Sequence, residues 1–301
     1  MPSSWTVVGL GRCGLQLARA MSASGVTLAG AVDRTAASRR RASRYLPAGL
    51  VTSASSPLQP SDRVLISVPD DALLEVGAWL AGRIPPGCSV VLHTSGARSA
   101  EALAMLRSHG VSVGSFHPLL PFATASGPPV RLGGTIAAIE GDAPAVAAAR
   151  TLARLLGMRP RSIDGAGKVG YHAAATIAAA LTYALVAVAG DVLRELGWSA
   201  RDRRHGLAPL ARQAIDNALA AGGWLSMTGP LVRGDAATVA AHLRALPPEV
   251  ATAYAEVSRL AVARLERARG IRGTEARALL RALTDPRFSA SVRPMAADGD
   301  C

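Results

Sequence analysis

The sequence predicts an α/β fold in which a doubly wound, mostly parallel sheet is followed by an all-helical domain. Short β-branched runs alternate with alanine-rich helical stretches in the first half of the chain, which is typical of a parallel sheet covered by helices. Strand signals stop after Asp164, where a Gly-Ala-Gly run supplies a flexible joint. The 301 residues, half of them hydrophobic, suffice for two domains, predicted at 1–164 and 165–301.

Each element of this fold follows from its local pattern. Short β-branched or apolar runs predict strands at 5–8, 27–32, 63–68, 89–92, 111–116 and 134–139, with a shorter one at 160–163 closing the sheet. Apolar residues at helical spacing then predict helices at 168–196, 200–221, 235–244, 248–269 and 273–283. The tail after Asp285 is expected to be loosely ordered.

Composition narrows the classes of function. A formal charge of +12 suits nucleic acid, a membrane surface or a small anionic ligand, but aromatics at 4% argue against a base-stacking platform. Three irregularly spaced cysteines predict neither a disulfide framework nor a metal site. The N-terminus has no basic flank before an apolar run, so we expect no signal peptide and a cytoplasmic protein.

One uncharged apolar stretch, residues 173–190, is barely as long as a membrane span. It consists mostly of alanine and is diluted by Thr176, Thr182 and Tyr183. A buried helix in a soluble protein or dimer is therefore the favoured interpretation, with a membrane span as the alternative.

A glycine-rich motif follows the first predicted strand and opens the next helix. The motif reads Gly9-Leu10-Gly11-Arg12-Cys13-Gly14. In this position Gly9 permits a tight turn, Gly11 lets the backbone approach a pyrophosphate, and Gly14 allows close packing of the helix. The motif predicts a Rossmann dinucleotide site, with phosphates at the helix N-terminus.

The end of the second strand carries two conflicting signals about the cofactor. Asp33 lies nineteen residues after Gly14, near the spacing of an acid that binds the adenosine ribose of NAD. Arg34 and Thr35 follow at once, and Arg39, Arg40 and Arg41 come close behind. Arginine forks match a 2′-phosphate, so NADP is the favoured cofactor and NAD the less favoured one.

Polar residues also follow the later strands, at the sheet edge where ligands bind in open α/β sheets. We expect Val68, Pro69, Asp70 and Thr94 to contact the cofactor. Ser95 and His117 are candidate catalytic residues because they offer a hydroxyl and an imidazole beside the nicotinamide. Their neighbours Gly96 and Pro118 are candidate substrate contacts.

Lys168 is the one lysine among 33 basic side chains. Unlike arginine, a buried lysine shifts its pKa readily and can exchange a proton near neutral pH. Positions i and i+4 share a helix face, so His172 is expected beside it. Both are candidate catalytic residues, with Lys168 giving or taking the proton.

A glycine- and proline-containing segment interrupts the helices at residues 227–235. A turn explains its glycines, its proline and Asp235, which suits a helix cap. Arg233 is a candidate for binding a substrate carboxylate, with a structural salt bridge as the alternative. Thr228 is a candidate substrate contact in the same loop.

Together these motifs resemble a family: Rossmann-like proteins that carry the C-terminal domain of unknown function 2520. They are relatives of the 6-phosphogluconate dehydrogenase, 3-hydroxyisobutyrate dehydrogenase and pyrroline-carboxylate reductase group. The resemblance covers nearly the whole chain. It rests on GLGRCG at 9–14, HTSGA at 93–97, GSFHPLLPF at 114–122, KVGYHAAA at 168–175 and TGPLVRGD at 228–235.

The resemblance implies a helical domain that forms a homodimer, redox chemistry with a phosphorylated nicotinamide cofactor, and a lysine at the place of Lys168 that acts on the substrate oxygen. It also implies an asparagine where this chain has Ala180. The sequence thus predicts an NADP-dependent oxidoreductase acting on the C=O or C=N carbon of a small, anionic substrate in an interdomain cleft, with neither nucleic acid nor membrane as partner. The alternative is a catalytically inactive NAD(P)-binding sensor.

Overall fold

The chain divides into two compact units. A computed structural model describes residues 3–284, so the tail after Asp285 lies outside the described residues. The units are Met1–Ala179 and Ala180–Cys301. This division comes later than the predicted boundary at residue 164, because the helix Lys168–Thr176 is tied to the sheet through the Lys168 side chain.

The first unit contains an eight-stranded sheet of order β3-β2-β1-β4-β5-β6-β7-β8. The strands are β1 Trp5–Val8, β2 Leu28–Asp33, β3 Val51–Ser53, β4 Arg63–Ile66, β5 Val90–His93, β6 Ser112–Pro118, β7 Ile136–Gly141 and β8 Arg159–Ser162. Only β6 and β7 pair antiparallel. The predicted fold class is confirmed.

Helices cover both faces of this sheet. They are α1 Arg12–Ala23, α2 Ala36–Ala42, α3 Leu73–Ala81 and α4 Ala143–Leu155, with a 3₁₀ segment at Ala100–His109. Because successive strand residues face opposite sides, Val7 and Leu65 join the core under α1 and α4, whereas Val8 and Val64 join the core under α3. Burial on both faces explains why the strands read as continuous apolar runs.

The strand order reverses beside β1, where the chain crosses from β3 back to β4. In such sheets a crevice forms beyond the carboxyl ends of the two strands at the reversal. The glycine-rich turn follows β1, and Ser67 and Val68 follow β4. The topology therefore brings these two segments to one crevice.

The second unit is helical in its described part. Its helices are α6 Thr182–Glu195, α7 Ala200–Leu219, α8 Ala236–Ala245, α9 Pro248–Arg267 and α10 Gly273–Leu283, with a 3₁₀ turn at Gly223–Ser226. The last three helices enclose a core that includes Val239, Val262 and Leu279. By contrast, α6 and α7 bury none of their residues.

The predicted helix at 168–196 is interrupted. It consists of α5 Lys168–Thr176, a π-helical turn at Ile177–Leu181 and then α6. The segment Gly165–Glu195 is long and apolar enough to cross a membrane by length and composition, with a mean hydropathy of 1.9 in its most apolar window. None of that window is buried within the chain, so its apolar side chains lack a cover.

Candidate active site

The glycine-rich turn adopts the geometry that its sequence predicts. Gly9 has a φ of 92°, and a Cβ there would strike the Ser67 carbonyl oxygen. A Cβ on Gly14 would strike the carbonyl oxygen of Gly9. Gly11, at the N-cap of α1, faces open space, with nothing within 4 Å of its missing side chain. Two glycines thus build the turn, and the third keeps the approach to the helix N-terminus clear.

A cleft of about 740 Å³ opens beside this turn. Its lining residues are Gly11, Arg12, Cys13, Arg41, Ser67, Val68, Pro69, Thr94, Phe122, Ala123, Thr124, Ala125 and Ser126. Of the residues predicted to bind a cofactor, Gly11, Arg12, Cys13, Val68, Pro69 and Thr94 are among them. Burial raises the pKa of the Cys13 thiol to about 11, which keeps it protonated at neutral pH. The cleft fits an elongated anionic ligand beside the N-terminus of α1.

Asp33 is committed to holding the turn. One carboxylate oxygen accepts from the Leu10 amide at 2.8 Å, while the other accepts from the Thr35 amide at 2.8 Å and the Thr35 hydroxyl at 3.0 Å. Leu10 itself is fully buried, so it contributes packing and this backbone donor. Since both oxygens are engaged, Asp33 is less available for ribose hydroxyls than its position in the sequence suggests.

The arginines after Asp33 have two different uses. Arg39 donates to the carbonyl oxygens of Asp33 and Arg34, and Arg41 donates to the Leu10 carbonyl and the Ser38 hydroxyl. These two therefore stabilise the turn, which the sequence pattern did not predict. The side chains of Arg34 and Arg40 are exposed and have no hydrogen-bond or ion-pair partner within residues 3–284, so they can reach an anion.

Lys168 is fully buried and all its donors have acceptors. Its ammonium lies 3.0 Å from the Ser95 carbonyl oxygen, 2.6 Å from the Ser115 hydroxyl oxygen and 3.5 Å from a Glu140 carboxylate oxygen. Burial lowers the Lys168 pKa, and the Glu140 charge opposes that shift. In this arrangement Lys168 has no proton left to direct at a substrate.

Glu140 and Ser115 are members of the site that sequence reasoning missed. Glu140, on β7, also accepts from the Ala100 amide at 2.8 Å, and Ser115 is fully buried on β6. A single acid in an apolar strand carries no motif, although a buried acid generally requires a partner. Lys168 is that partner.

His93 and Ser95 shape the turn after β5. The Ser95 amide donates to His93 Nδ1 at 3.2 Å, and His93 Nε2 lies 3.1 Å from the Ser99 carbonyl oxygen. The Ser95 hydroxyl accepts from the amides of Ala97 and Arg98. Ser95 is thus a buried structural residue here, and its predicted role as a catalytic hydroxyl lacks geometric support.

His117 and His172 lie against Gly96, and Tyr171 contacts His117. His117 Nδ1 lies 2.7 Å from the Tyr171 hydroxyl oxygen, and the His117 ring meets those of Tyr171 and His172 edge to face. A Cβ on Gly96 would lie 2.5 Å from His172 Cδ2 and 2.8 Å from His117 Nε2. Gly96 therefore admits both imidazoles. Sequence reasoning found His117, His172 and Gly96 but passed over Tyr171, although it lies inside the same KVGYH motif.

The His117–Tyr171 pair is held in its neutral form. Burial, with the nearby charges of Lys168 and His172, lowers the His117 pKa to about 4, whereas the Asp70 charge acts in the opposite direction. Burial raises the Tyr171 pKa to about 12. At neutral pH the tyrosine keeps its proton and can donate it to Nδ1 of a neutral imidazole. The imidazole hydrogen then sits on Nε2, facing Gly96.

The remaining predicted substrate contacts are Pro118 in the first unit and Thr228 and Arg233 in the second. Pro118 is buried at the end of β6. Thr228 and Arg233 belong to the second unit, where Arg233 is exposed and Asp235 caps α8 by accepting from the Thr238 amide. The predicted cap is confirmed. Within residues 3–284, no group of three or more His, Cys, Asp or Glu could hold a metal ion.

Two family models match successive parts of the chain. A family model described as a Rossmann-like domain matches residues 3–118, and one described as domain of unknown function DUF2520 matches residues 135–261. No curated protein matches the chain.

Solved structures share the fold. A Bacteroides fragilis protein described as a candidate NADP oxidoreductase superposes with a TM-score of 0.72 at 21% identity, over 86% of this chain and 97% of that one. A Thermotoga maritima protein gives 0.64 at 22%, over 88% and 99%. A reductive aminase from Aspergillus terreus, in complex with NADPH and ethyl-5-oxohexanoate, gives 0.55 at 18%, over 94% and 93%.

Proposed function

This chain is a Rossmann-like protein with a DUF2520 domain, and on that premise we propose that it is an NADP-dependent oxidoreductase. The observation that carries the proposal is the shared sheet edge: Thr94 lines the cofactor cleft, and two residues later Gly96 lies under His117 and His172. This arrangement supports a dinucleotide cleft next to groups that can transfer a proton. The nicotinamide, when bound, supplies or accepts the hydride at a C=O or C=N carbon.

Residues of the cleft fit such a cofactor. Gly11 leaves room for a close approach of phosphate, and the first amides of α1 lack intrahelical partners. Arg41 Nε is a buried donor with no partner among the described residues. The engagement of Asp33, together with the exposed Arg34 and Thr35 beside it, favours NADP over NAD.

We assign proton transfer to the His117–Tyr171 pair. His117 of this pair lies against Gly96, whereas Lys168 is buried and donates to the Ser95 carbonyl oxygen of the same turn. Lys168 and Ser95 then act by positioning the turn, and His172 orients the substrate. Asp70 adds negative charge near His117. We propose Arg233 and Thr228 as contacts for an anionic substrate group, and a cytoplasmic homodimer as the working form.

Replacing Tyr171 with Phe tests the assignment. NADPH oxidation is followed across a panel of keto acids and cyclic imines. Loss of general acid catalysis should reduce turnover by about 10²–10⁴-fold, while the NADPH dissociation constant stays within about twofold because Tyr171 does not line the cleft. Tyr254→Phe, which removes a similar hydroxyl contact with His242 Nδ1 in the second unit, is the matched control. A Tyr171→Phe enzyme of undiminished turnover refutes the assignment.

The burial of Lys168 also favours a second candidate function. This is a nucleotide-binding sensor without catalytic activity. Ser95, Ser115 and Glu140 accept all the hydrogens of the Lys168 ammonium group, so none is available to a substrate. Such a sensor binds NADPH tightly but oxidises none of it with any member of the substrate panel. The same assay therefore separates the two candidates.

A further inference from the structure

The long connection between β6 and β7 is fastened to α1. We call residues 119–135 the strap. Gln16, buried on α1, donates to the carbonyl oxygens of Thr124 and Pro128 and accepts from the Val130 amide, each at 3.3 Å. One amide side chain thus holds three points of the strap.

Two further side chains fasten its tip. Arg19 donates to the Gly127 carbonyl oxygen at 2.9 Å, and the Tyr45 hydroxyl donates to the Ser126 carbonyl oxygen at 2.9 Å. The Arg19 guanidinium lies 4.3 Å from the centre of the Tyr45 ring. Every side chain that fastens the tip therefore donates to a strap carbonyl.

Beside the fastened tip, a run of strap amides is left free. The amides of residues 122–125 have no hydrogen-bond partner within residues 3–284, although this segment forms one wall of the 740 Å³ cleft. Backbone N–H groups without partners in a concave wall form a characteristic anion-binding surface. Arg12 and Arg41 line the same cleft and add positive charge.

The facing wall has the same chemistry. It consists of Gly11, Arg12 and Cys13 at the N-terminus of α1, where amides and the helix dipole attract phosphate. Two donor walls across one cleft suit an anion that accepts from both sides, such as a diphosphate with its several oxygens. If the N-terminus of α1 bound the anion alone, the strap amides would have no part in binding.

We infer that the strap amides at 122–125 form the second wall of the cofactor's diphosphate site, and that Gln16 is the positioning residue that holds this wall in place. This inference rests on the proposed function, because it takes the ligand to be a nicotinamide dinucleotide. It assigns to residues 122–126 a binding role that neither the glycine-rich motif nor the arginine cluster accounts for.

Three ligands separate the parts of the site by titration calorimetry. They are NADP⁺, 2′-phospho-ADP-ribose, which lacks the nicotinamide, and adenosine 2′-monophosphate, which lacks the diphosphate bridge. In the Gln16→Leu protein we expect the dissociation constants of the first two to rise about 10- to 100-fold, the effect of losing hydrogen bonds to a charged group. The constant for adenosine 2′-monophosphate should stay within twofold.

Two variants accompany this measurement. Gln213→Leu, which removes an exposed hydrogen bond to Asn217, is the matched control and should leave all three constants unchanged. Tyr45→Phe removes one strap bond and keeps the ring under Arg19. It remains informative if Gln16→Leu does not fold, and we expect a rise of about three- to tenfold for the two diphosphate ligands only.

Hydrogen exchange of the wild-type protein supplies a readout independent of substitutions. Amides 122–125 should exchange at least tenfold more slowly with saturating 2′-phospho-ADP-ribose, and at an unchanged rate with adenosine 2′-monophosphate. If Gln16→Leu loses affinity for NADP⁺ only, or equally for all three ligands, the inference is overturned. It is also overturned if 2′-phospho-ADP-ribose does not slow the exchange of amides 122–125. A wild-type protein that binds no dinucleotide refutes the proposed function instead.

Discussion

At the scale of single residues, His93 illustrates how burial fixes a protonation state. The side chain is fully buried, and both ring nitrogens have backbone partners. Nδ1 accepts from an amide, which requires a neutral ring. Burial, with the Lys168 charge as the second cause, lowers the His93 pKa to about 3.

The lowered pKa of His93 predicts that the folded protein is less stable in acid. As the pH falls below the ordinary value of 6.5, the unfolded chain binds a proton at His93 before the folded chain does. The free energy of unfolding should therefore drop between pH 6.5 and pH 3, by up to about 4 kcal/mol from this group. Urea unfolding across that range measures the slope. His93→Asn, which keeps an acceptor for the Ser95 amide, should reduce this slope, and His117, whose pKa is lowered to about 4, should account for part of what remains.

His109→Asn, at an exposed histidine, is the control and should retain the wild-type slope. Equal slopes in the wild-type and His93→Asn proteins would exclude His93 as the source of acid sensitivity.

The sequence identified the unusual residue but not its partners. Composition pointed to Lys168, and helical spacing placed His172 on its face. The structure brings both to the turn that contains Ser95 and Gly96. Ser115 and Glu140 could not be predicted, because they come from strands whose pairing with that turn depends on the whole sheet. The proton-transfer assignment consequently moves from Lys168 to its neighbour Tyr171.

At the scale of secondary-structure elements, Lys168 links several elements of the first unit. It connects α5 to the turn after β5, to β6 through Ser115 and to β7 through Glu140. Glu140 extends the connection to the start of the 3₁₀ segment through the Ala100 amide. One ammonium thereby fixes four elements that meet beneath Gly96.

Removing the ammonium should be costly. In Lys168→Met the Glu140 carboxylate is left buried without its cation, and we expect the free energy of unfolding to fall by about 3–5 kcal/mol. Glu140→Gln in the same chain removes that charge and should recover part of the loss. Urea unfolding of the wild type, both single variants and the double variant gives the coupling energy.

Additive effects in that cycle would show that the two side chains do not act as a pair. Tyr171→Phe, which leaves the ion pair intact, should retain most of the wild-type stability. It thus distinguishes the structural role of Lys168 from the proton transfer proposed for Tyr171.

Most elements were predictable because their patterns are local. The strands of the first unit and the helices of the second follow from apolar runs and helical spacing. The short β3 escaped prediction, since its three residues are half-buried and show no alternation. The π-helical turn at Ile177–Leu181 also escaped prediction, since an alanine-rich sequence does not distinguish it from α-helix.

At the scale of the whole molecule, the second unit has an exposed apolar surface that is expected to contact another molecule. Tyr183, Leu210 and Leu219 are 77%, 67% and 82% exposed. Charged residues such as Arg203 and Arg212 share α7 with Leu210 and Leu219, which argues against lipid as that molecule. This surface is where the proposed homodimer would form, because exposed apolar patches of this kind mark protein interfaces.

The dimer proposal predicts the behaviour of a double variant. Leu210→Glu with Leu219→Glu should convert the wild-type dimer into a monomer, because charged groups in an apolar interface lose their hydration without gaining partners. Light scattering after size-exclusion chromatography gives the mass. Leu74→Glu, at an exposed leucine of α3, should remain dimeric. A monomeric wild-type protein at micromolar concentration contradicts the proposal.

The acid at the end of β2 also limits how this protein can be re-engineered. An exchange of coenzyme preference usually begins at that position, by adding or deleting one carboxylate. Here the carboxylate supports the Leu10 and Thr35 amides, so deleting it would collapse the turn along with any selectivity. A redesign for the unphosphorylated coenzyme would have to leave Asp33 in place and introduce its new acceptor at Arg34 or Arg40.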